Sequence, residues 1–361
     1  MRDLRERLAA RTLALVDIAS TSGEERQILE ALEVPASLTL LDAEDAVRWY
    51  GPAERRPDAP LVLLAGHVDT VPPHGNLPGH REGGAVVGRG AADMKGAIAV
   101  MESAAADLAG GRGGDVDLAL LFFGREELPI TQSALLPLFA RRPDLCEVDL
   151  AIVMEPTANQ LEVGCMGNLT ARVTVRGRAA HSARPWLGTN AIHGAIRSLG
   201  GVASSEPRDV AIDGLTYREV VSVTTIEGGG AANVVPDLVR ATVNYRYAPG
   251  VPPHEAESAL RSMLPEVELE VVGNAPPGPV HVRHPLVDRL RRAGDLEVHP
   301  KQAGTPVAEF ATVGVPAVNF GPGEPGYAHR DDERVEAEAL ARSYRVLRAF
   351  LAGGTADEEE T

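Results

Sequence analysis

The chain has 361 residues, of which 51 are acidic and 35 basic, so its formal net charge is −16 at pH 7. Such an acidic balance argues against nucleic acid or an anionic membrane surface as the partner. The chain contains no run of 18 apolar residues, so the sequence predicts no membrane span. The two cysteines, Cys146 and Cys165, form no CxxC pattern, and the N-terminus is charged, unlike a signal peptide. We therefore expect a cytoplasmic protein, and the length favours two domains.

Four short apolar runs, each followed by polar residues, organise much of the chain. They cover residues 61–65, 117–123, 150–154 and 315–320. Continuous apolar runs predict strands buried on both faces of a mostly parallel sheet, and the helical spacing of apolar residues over 94–108 predicts a connecting helix. Ligands of such sheets bind beyond the carboxyl ends of the strands, where the polar residues fall. Near the N-terminus, Ser22 to Glu25 predicts a capping box that begins a helix.

The pattern changes in the middle of the chain, where apolar and polar residues alternate. Strands are predicted over residues 169–178, 219–227, 238–247 and 266–272, with helices after residues 188 and 253. Alternation indicates an antiparallel sheet with one solvated face, and the order β-α-β-β-α-β is that of a ferredoxin-like domain.

The predicted fold class is therefore α/β, with a mostly parallel sheet and an inserted ferredoxin-like α+β domain. Residues 1–168 and 282–361 form the first domain, and residues 169–281 form the inserted one. The acidic residues from about 353 are expected to be a disordered tail.

Two histidines follow strands of the first domain. His67 follows the first run at the end of the predicted strand, and Asp69, two residues later, points to the same side of that strand. The carboxylate can therefore accept a hydrogen bond from the imidazole and orient it for a metal, although a lone His-x-Asp also fits a surface pair. His329 follows a loop rich in glycine and proline.

Four acidic residues occupy comparable positions. Asp93 lies where a loop turns into a helix, Glu126 and Glu127 follow the second run, and Glu155 follows the third. Singly, Asp93 fits an N-cap and the glutamates fit solvated loops. Together with the histidines they suit two divalent ions such as zinc or cobalt, which lower the pKa of a shared water and polarise a carbonyl. One acid of the Glu126–Glu127 pair would be a ligand and its neighbour the general base.

These residues belong to motifs spread over the whole chain in one order. The motifs are residues 66–72, 88–96, 126–127, 154–157, 180–182, 233–237 and the region of His329. They resemble the metal-dependent amidohydrolases that include succinyl-diaminopimelate desuccinylase, acetylornithine deacetylase, aminoacylase and related carboxypeptidases. The resemblance implies two bound divalent ions, Zn²⁺ first and Co²⁺ or Mn²⁺ as alternatives, and a small N-acyl amino acid as the substrate.

The resemblance also implies a role for each residue of the first domain. His67 and Glu155 would hold one ion, Glu127 and His329 the other, Asp93 would bridge both, Asp69 would orient His67, and Glu126 would be the general base.

In the inserted domain, the resemblance implies that His181 reaches the active site of a partner subunit and stabilises the developing oxyanion. A homodimer is thereby implied, with the inserted domain as lid and dimerisation domain. Asn233 resembles the lid asparagine of the family, and Thr305 lies in a segment that lines the substrate pocket of relatives. Arg178 and Arg246 can bind substrate carboxylates in bidentate fashion or form surface salt bridges.

Residues 178–188 and 213–219 resemble the actinobacterial branch of the desuccinylases, which release succinate and diaminopimelate, a precursor of lysine and the cell wall. Val307 and Glu309 depart from that branch, which has aspartate and arginine there. Another deacylase or a dipeptidase of the family is the alternative. A non-catalytic binding protein is disfavoured because all five ligands and Glu126 are present.

Overall fold

The computed structural model describes residues 2–109 and 114–354, so most of the predicted acidic tail lies outside the described residues. The chain forms two compact units: Met1–Gly164, His281–His299 and Glu309–Thr361 make the first, and Cys165–Val280 and Pro300–Ala308 the second. The inserted unit was expected to span 169–281 only. Residues 300–308 join it because the main-chain N–H of Met166 donates to Ala303 at 3.0 Å, a long-range contact that local sequence does not encode.

The helices, in chain order, are α1 (Arg2–Val16), α2 (Arg26–Glu30), α3 (Gly96–Ala109), α4 (Leu135–Arg141), α5 (Ala191–Ala203), α6 (Pro253–Met263), α7 (Pro285–Ala293), α8 (Val307–Ala311) and α9 (Ala337–Ala352). Within residues 2–109 and 114–354, no helix combines the length and the apolar character needed to cross a bilayer.

The strands before the inserted unit are β1 (Leu38–Asp42), β2 (Val47–Pro52), β3 (Leu61–His67), β4 (His80–Glu82), β5 (Ala85–Val87), β6 (Asp117–Phe123), β7 (Leu150–Val153) and β8 (Leu161–Val163). Those that follow are β9 (Gly167–Arg176), β10 (Ala180–His181), β11 (Arg208–Ile212), β12 (Leu215–Gly228), β13 (Val234–Val235), β14 (Leu238–Tyr247), β15 (Glu268–Ala275), β16 (Val298–Pro300), β17 (Ala317–Asn319) and β18 (Arg334–Glu336).

The largest sheet has the order β1-β2-β6-β3-β7-β17-β8-β16. Its centre, β6-β3-β7-β17, is parallel, whereas β1, β2 and β8 pair antiparallel. Every residue of β3, β6 and β7 is buried, which explains why these strands read as continuous apolar runs. The predicted mostly parallel sheet is confirmed, and its parallel strands end at one common edge.

The second unit contains the antiparallel sheet β11-β12-β14-β9-β15. Without β11, the chain order β9-α5-β12-β14-α6-β15 is the predicted ferredoxin-like one. Helices α5 and α6 pack on the sheet, and the buried residues of β9 and β14 alternate with more exposed ones. The face away from the buried core is therefore available to polar side chains.

The predicted capping box at residues 22–25 is wrong. Helix α2 begins at Arg26, and its N-cap residue Glu25 makes no side-chain capping bond. Instead, the Glu25 carboxylate accepts from the N–H of Gly23 at 2.7 Å, and the Ser22 hydroxyl donates to Asp69 at 2.7 Å. The Ser22 hydroxyl, which a capping box would use at the start of α2, is instead hydrogen-bonded to the distant Asp69 carboxylate.

Two glycines allow the loop after β17 to lie against neighbouring main chain. A Cβ atom on Gly321 would overlap the carbonyl oxygens of Met154 and Glu155, and one on Gly323 would overlap that of Ala92. Gly321 also donates its N–H to the Thr157 hydroxyl at 3.0 Å. Since the obstructing atoms are main-chain oxygens, a side-chain rotation cannot relieve the overlap.

Replacement of Gly321 by alanine should therefore destabilise the protein. We expect Gly321→Ala to lower the free energy of unfolding by about 1–3 kcal/mol, the usual cost of overpacking. The control is Gly326→Ala in the same loop, where the nearest atom to a new Cβ lies 3.9 Å away. Urea denaturation of the two variants measures the difference, and equal stabilities would contradict this account of the loop.

Candidate active site

The seven residues predicted for the first domain come together at the carboxyl edge of the parallel strands. His67 is the last residue of β3, Glu126 and Glu127 follow β6, and Glu155 follows β7. Asp93 lies in the irregular turn Ala91–Lys95 before α3, where its φ of −127° and ψ of 90° are not helical. The common ending of the strands is what gathers side chains that are far apart in sequence.

Asp93 is the centre of the cluster. One of its carboxylate oxygens lies 3.0 Å from Nε2 of His67, and the other lies 3.5 Å from Nε2 of His329. Nε2 of His67 is also 4.0 Å from Glu155, and Nε2 of His329 is 2.8 Å from Glu127. Asp93 thus presents one oxygen to each of two groups of side chains.

The hydrogen bonds of Asp69 differ from the expected one. Nδ1 of His67 lies 3.0 Å from the main-chain oxygen of Asp69 and 3.5 Å from its carboxylate, so the main chain is the nearer acceptor. The carboxylate accepts from the Ser22 hydroxyl at 2.7 Å and from the N–H groups of Glu126 and Glu127 at 3.1 and 3.2 Å. Asp69 therefore both orients His67 and anchors the loop of the two glutamates.

The charges of the cluster strongly perturb its histidines. Burial opposes protonation of His67, but Asp69 and Asp93 outweigh it and raise the pKa of His67 well above its usual value. Hydrogen bonds to Asp93 and Glu127 raise the pKa of His329 to about 10. Metal ions compete with these protons for Nε2, so metal binding would release protons and weaken in acid.

Glu126 has the environment of a proton acceptor. Burial, followed by the negative charge of Glu155, raises the pKa of Glu126 well above its usual range, and the charge of His67 only partly offsets this. A carboxylate that takes up a proton readily is suited to general-base work.

The donor set fits two divalent cations. The ligand atoms of His67, Asp93 and Glu155 lie within 4.8 Å of one another, and so do those of Asp93, Glu127 and His329. Imidazole nitrogens and carboxylate oxygens are ligands of borderline ions such as zinc. Together with Glu126, the carboxylates of Asp93, Glu127 and Glu155 carry up to four negative charges, which two divalent cations would balance.

Sequence reasoning missed three residues that support this cluster: Ser22, Arg89 and Glu333. The Glu333 carboxylate is 1% exposed and accepts from the N–H groups of Ala92 and Asp93 at 3.2 and 3.1 Å. Glu333 stands in an acidic run, residues 331–333, which reads as a solvated loop. No local signal marks it as buried.

In the second unit, His181 and Asn233 lie on one small ribbon. Strand β10 pairs with β13, with His181 opposite Val234, and the N–H of Ser182 donates to the carbonyl of Asn233 at 2.9 Å. His181 is exposed, and its Nδ1 accepts from the N–H of Ala183 at 3.1 Å. The neutral ring therefore carries its proton on Nε2. Arg178 is also exposed and precedes this ribbon.

Arg246 lies close to Gly304, the residue before Thr305, in the same unit. Burial lowers the pKa of Arg246, and its Nε donates to Asn244 at 3.0 Å. Nη1 lies 3.7 Å from the position of a Cβ on Gly304, while the Thr305 hydroxyl is buried without a hydrogen-bond partner. Among the described residues no carboxylate forms an ion pair with Arg246, so its charge is available to an anion.

The two departures from the desuccinylase branch are both buried. Val307 is 1% exposed at the start of α8. Glu309 is 9% exposed and accepts a hydrogen bond from the Ser133 hydroxyl, and burial raises the pKa of Glu309 to about 7. A large fraction of Glu309 is therefore uncharged near neutral pH. The replacement of the positively charged arginine of that branch by this glutamate thus adds less negative charge than a fully ionised carboxylate would.

Comparison with known proteins gives consistent results. The model of peptidase family M20/M25/M40 matches residues 63–353. The chain is 39% identical, over 98% of its length and 100% of the relative, to a Mycobacterium tuberculosis protein that carries the name succinyl-diaminopimelate desuccinylase DapE. It is 36% identical to the succinyl-diaminopimelate desuccinylase of Corynebacterium glutamicum, over 94% of this chain and 95% of that one.

Solved structures share the fold at lower identity. Aminopeptidase PepT of Bacillus cereus has a TM-score of 0.76 at 19% identity, covering 96% of this chain and 98% of its own. YXEP of Bacillus subtilis, a dinuclear metal-binding peptidase, has a TM-score of 0.67 at 17% identity and covers 98% of both chains. The match of the family model and the near full-length relatives agree with the ligand cluster at the strand ends: the chain belongs to peptidase family M20/M25/M40.

Proposed function

We propose that this hydrolase cleaves the amide bond of N-succinyl-LL-2,6-diaminopimelate to give succinate and LL-2,6-diaminopimelate, a step toward lysine and cell-wall precursors. The observation that carries the proposal is the ligand cluster centred on Asp93, in a chain whose near full-length relatives bear the desuccinylase name.

In this proposal the cluster would hold two divalent ions, zinc first, with cobalt or manganese as alternatives. His67 and Glu155 would hold one ion, Glu127 and His329 the other, and Asp93 would be shared between them. When bound, such a pair supplies an acidified water and polarises the scissile carbonyl. The proximity of Asp93 to both histidines supports this division of the ligands.

Glu126 is assigned the transfer of the proton from the attacking water to the leaving nitrogen. Its carboxylate takes the proton from the attacking water and delivers it to the leaving nitrogen, which then departs as an amine. The position of Glu126 next to the proposed ligand Glu127, directly after β6, supports this role, since it places a carboxylate beside the metal cluster. The hydrogen bond from the main-chain N–H of Glu126 to the Asp69 carboxylate holds the main chain of Glu126 in place.

Two groups of the second unit are assigned to the substrate. Within the described part of the chain, Arg246 offers a half-buried guanidinium without a carboxylate partner, and Thr305 offers a buried hydroxyl. We assign a substrate carboxylate to these two residues. His181 would donate from Nε2 to the oxyanion that develops during attack, with Asn233 beside it. Arg178 remains a weaker candidate because it is exposed.

The oligomer is proposed to be a homodimer formed by the second unit. Strand β11 pairs with β12 only over residues 215–219, so among described residues one edge of β12 from Val220 to Gly228 pairs with no strand. That edge carries Val220 and Ile226, which are 37% and 58% exposed, and the packed helix α5 adds Ile196 at 65%. An unpaired apolar edge of this length is a template for pairing with a second copy.

We place the enzyme in the cytoplasm. Both Cys146 and Cys165 are free thiols, one exposed and one buried, which is the usual state in a reducing compartment.

Another deacylase or a dipeptidase of the family is the second candidate function. It is favoured by one observation, the buried valine and glutamate at positions 307 and 309 in place of the aspartate and arginine of the desuccinylase branch. Because the pKa of Glu309 is about 7, its side chain can be either neutral or negatively charged near neutral pH. This segment is therefore compatible with the succinyl substrate and with the substrate of another deacylase.

The role of the general base is tested with Glu126→Gln. The amide keeps the size of the side chain but cannot accept the proton, so kcat should fall by roughly 100- to 10,000-fold. Both ions should remain bound, as measured by elemental analysis of the desalted protein. Turnover like that of the wild type would reject the assignment.

A substrate panel tests the acyl group. The zinc- or cobalt-reconstituted enzyme is given N-succinyl-diaminopimelate, N-acetylornithine and simple dipeptides, and release of succinate, acetate or amino acid is followed. We expect kcat/KM to be at least roughly 100-fold higher for the succinyl substrate, because the other substrates leave buried polar groups unpaired. A preference for an acetyl amide or a dipeptide would favour the second candidate.

Mixing two inactive variants tests the shared active site. If His181 acts in the partner's site, Glu126→Gln and His181→Ala subunits that are unfolded and refolded together should regain about a quarter of wild-type activity, since half of the dimers are mixed and each contains one complete site. Activity no higher than that of the separate variants would contradict the role of His181 in the partner's site, and a monomer in sedimentation would contradict the dimer.

A further inference from the structure

The main chain that carries Asp93 is held by a carboxylate from a distant part of the sequence. One oxygen of Glu333 accepts the N–H groups of both Ala92 and Asp93, at 3.2 and 3.1 Å. These N–H groups belong to the irregular turn before α3, where the non-helical dihedral angles of Asp93 prevent a regular helical ladder. The position of Asp93 therefore depends on Glu333 rather than on helix geometry.

Glu333 is itself held on two sides. Its second carboxylate oxygen accepts from Nη1 of Arg89 at 2.8 Å, and the two side chains are 1% and 3% exposed. Its main-chain oxygen accepts from the N–H of Gly88 at 2.9 Å. The following residue, Arg334, pairs with Val87 between β18 and β5. The carboxylate is thus tied to the strand that leads into the Asp93 turn.

Glu333 also belongs to the segment that carries His329. The N–H of Glu333 donates to the carbonyl of Arg330 at 3.3 Å, which closes the turn directly after His329. Nε2 of His329 in turn lies 3.5 Å from Asp93. One buried carboxylate therefore connects the main chain of the proposed bridging ligand to the segment of a second ligand.

We propose that Glu333, oriented by Arg89, is a positioning residue that sets the place of Asp93 between the two metal ions. This inference rests on the metal-binding role proposed above. Two hydrogen bonds to the turn that carries a ligand fix where that ligand's oxygens lie. Groups that orient metal ligands in this way commonly change metal affinity or activity by 10- to 100-fold when they are removed.

The same unit offers a comparable buried glutamate, Glu102, whose hydrogen bonds go to Arg11 and Glu33 and not to the turn that carries Asp93. The Glu102 carboxylate is 4% exposed, accepts from Arg11 at 2.7 and 2.8 Å, and also accepts the N–H of Glu33 at 2.7 Å. Like Glu333, it has an arginine partner and accepts a main-chain N–H, yet neither Arg11 nor Glu33 is a proposed ligand or precedes one. A purely structural role would make the two glutamates equivalent.

The experiment compares Glu333→Gln with Glu102→Gln in the full chain. Both substitutions keep side-chain volume and remove the charge. Zinc affinity of the metal-free proteins is measured by competition with a chelator, ligand geometry by the absorption bands of the cobalt-loaded proteins, stability by urea denaturation, and kcat and KM separately.

We expect both variants to lose stability, but only Glu333→Gln to bind zinc roughly 10- to 100-fold more weakly and to shift the cobalt bands. Its kcat should fall while KM changes little, since the substrate-binding groups are intact. Arg89→Lys keeps a cation beside Glu333 and should show a smaller change in the same direction. If Glu333→Gln does not fold, the zinc affinity and cobalt spectrum of Arg89→Lys test the positioning role instead.

The outcomes separate the two proposals. If the wild type binds two ions while Glu333→Gln matches Glu102→Gln in affinity and cobalt spectrum, the positioning role is wrong and the metal site stands. If the wild type itself does not bind two ions, the proposed metal function fails, and this inference fails with it.

Discussion

Repulsion between carboxylates at the end of a parallel sheet is the interaction on which the rest of this structure depends. Asp93, Glu126, Glu127 and Glu155 approach one another closely enough that burial and mutual repulsion raise the pKa of Glu126. Such a cluster needs positive charge nearby, because removing unpaired charges from water is costly. Protons on His67 and His329 supply it in one state, and divalent cations would supply it in the other.

The fold holds these groups in place with carboxylates that are not among the proposed metal ligands. Asp69 accepts the N–H groups of Glu126 and Glu127, and Glu333 accepts those of Ala92 and Asp93. Both work through the main chain, so the ligand side chains start from fixed positions. Gly321 and Gly323 add a steric constraint, because only glycine lets the following loop lie against the main chain at Glu155 and Ala92.

The second unit contributes a different chemistry. Its polar sheet face holds Arg246, whose guanidinium has an amide partner but no carboxylate, whereas its exposed ribbon holds His181 with the proton on Nε2. One group is suited to a substrate anion and the other to charge that develops during the reaction. The proposed metal ligands lie in the first unit and the proposed substrate-binding groups in the second.

The sequence by itself determined the α/β class, the parallel core and the ferredoxin-like insertion, because buried strands such as β3 and β6 and alternating strands such as β9 leave periodic patterns that any chain must show. It also indicated which polar residues lie close together, because the carboxyl ends of parallel strands share one edge of the sheet. The attachment of residues 300–308 to the second unit and the roles of Ser22, Arg89 and Glu333 were decided only by tertiary structure. Each of those depends on contacts between residues far apart in the chain, and a buried carboxylate that accepts distant N–H groups has the same local sequence as one in solvent.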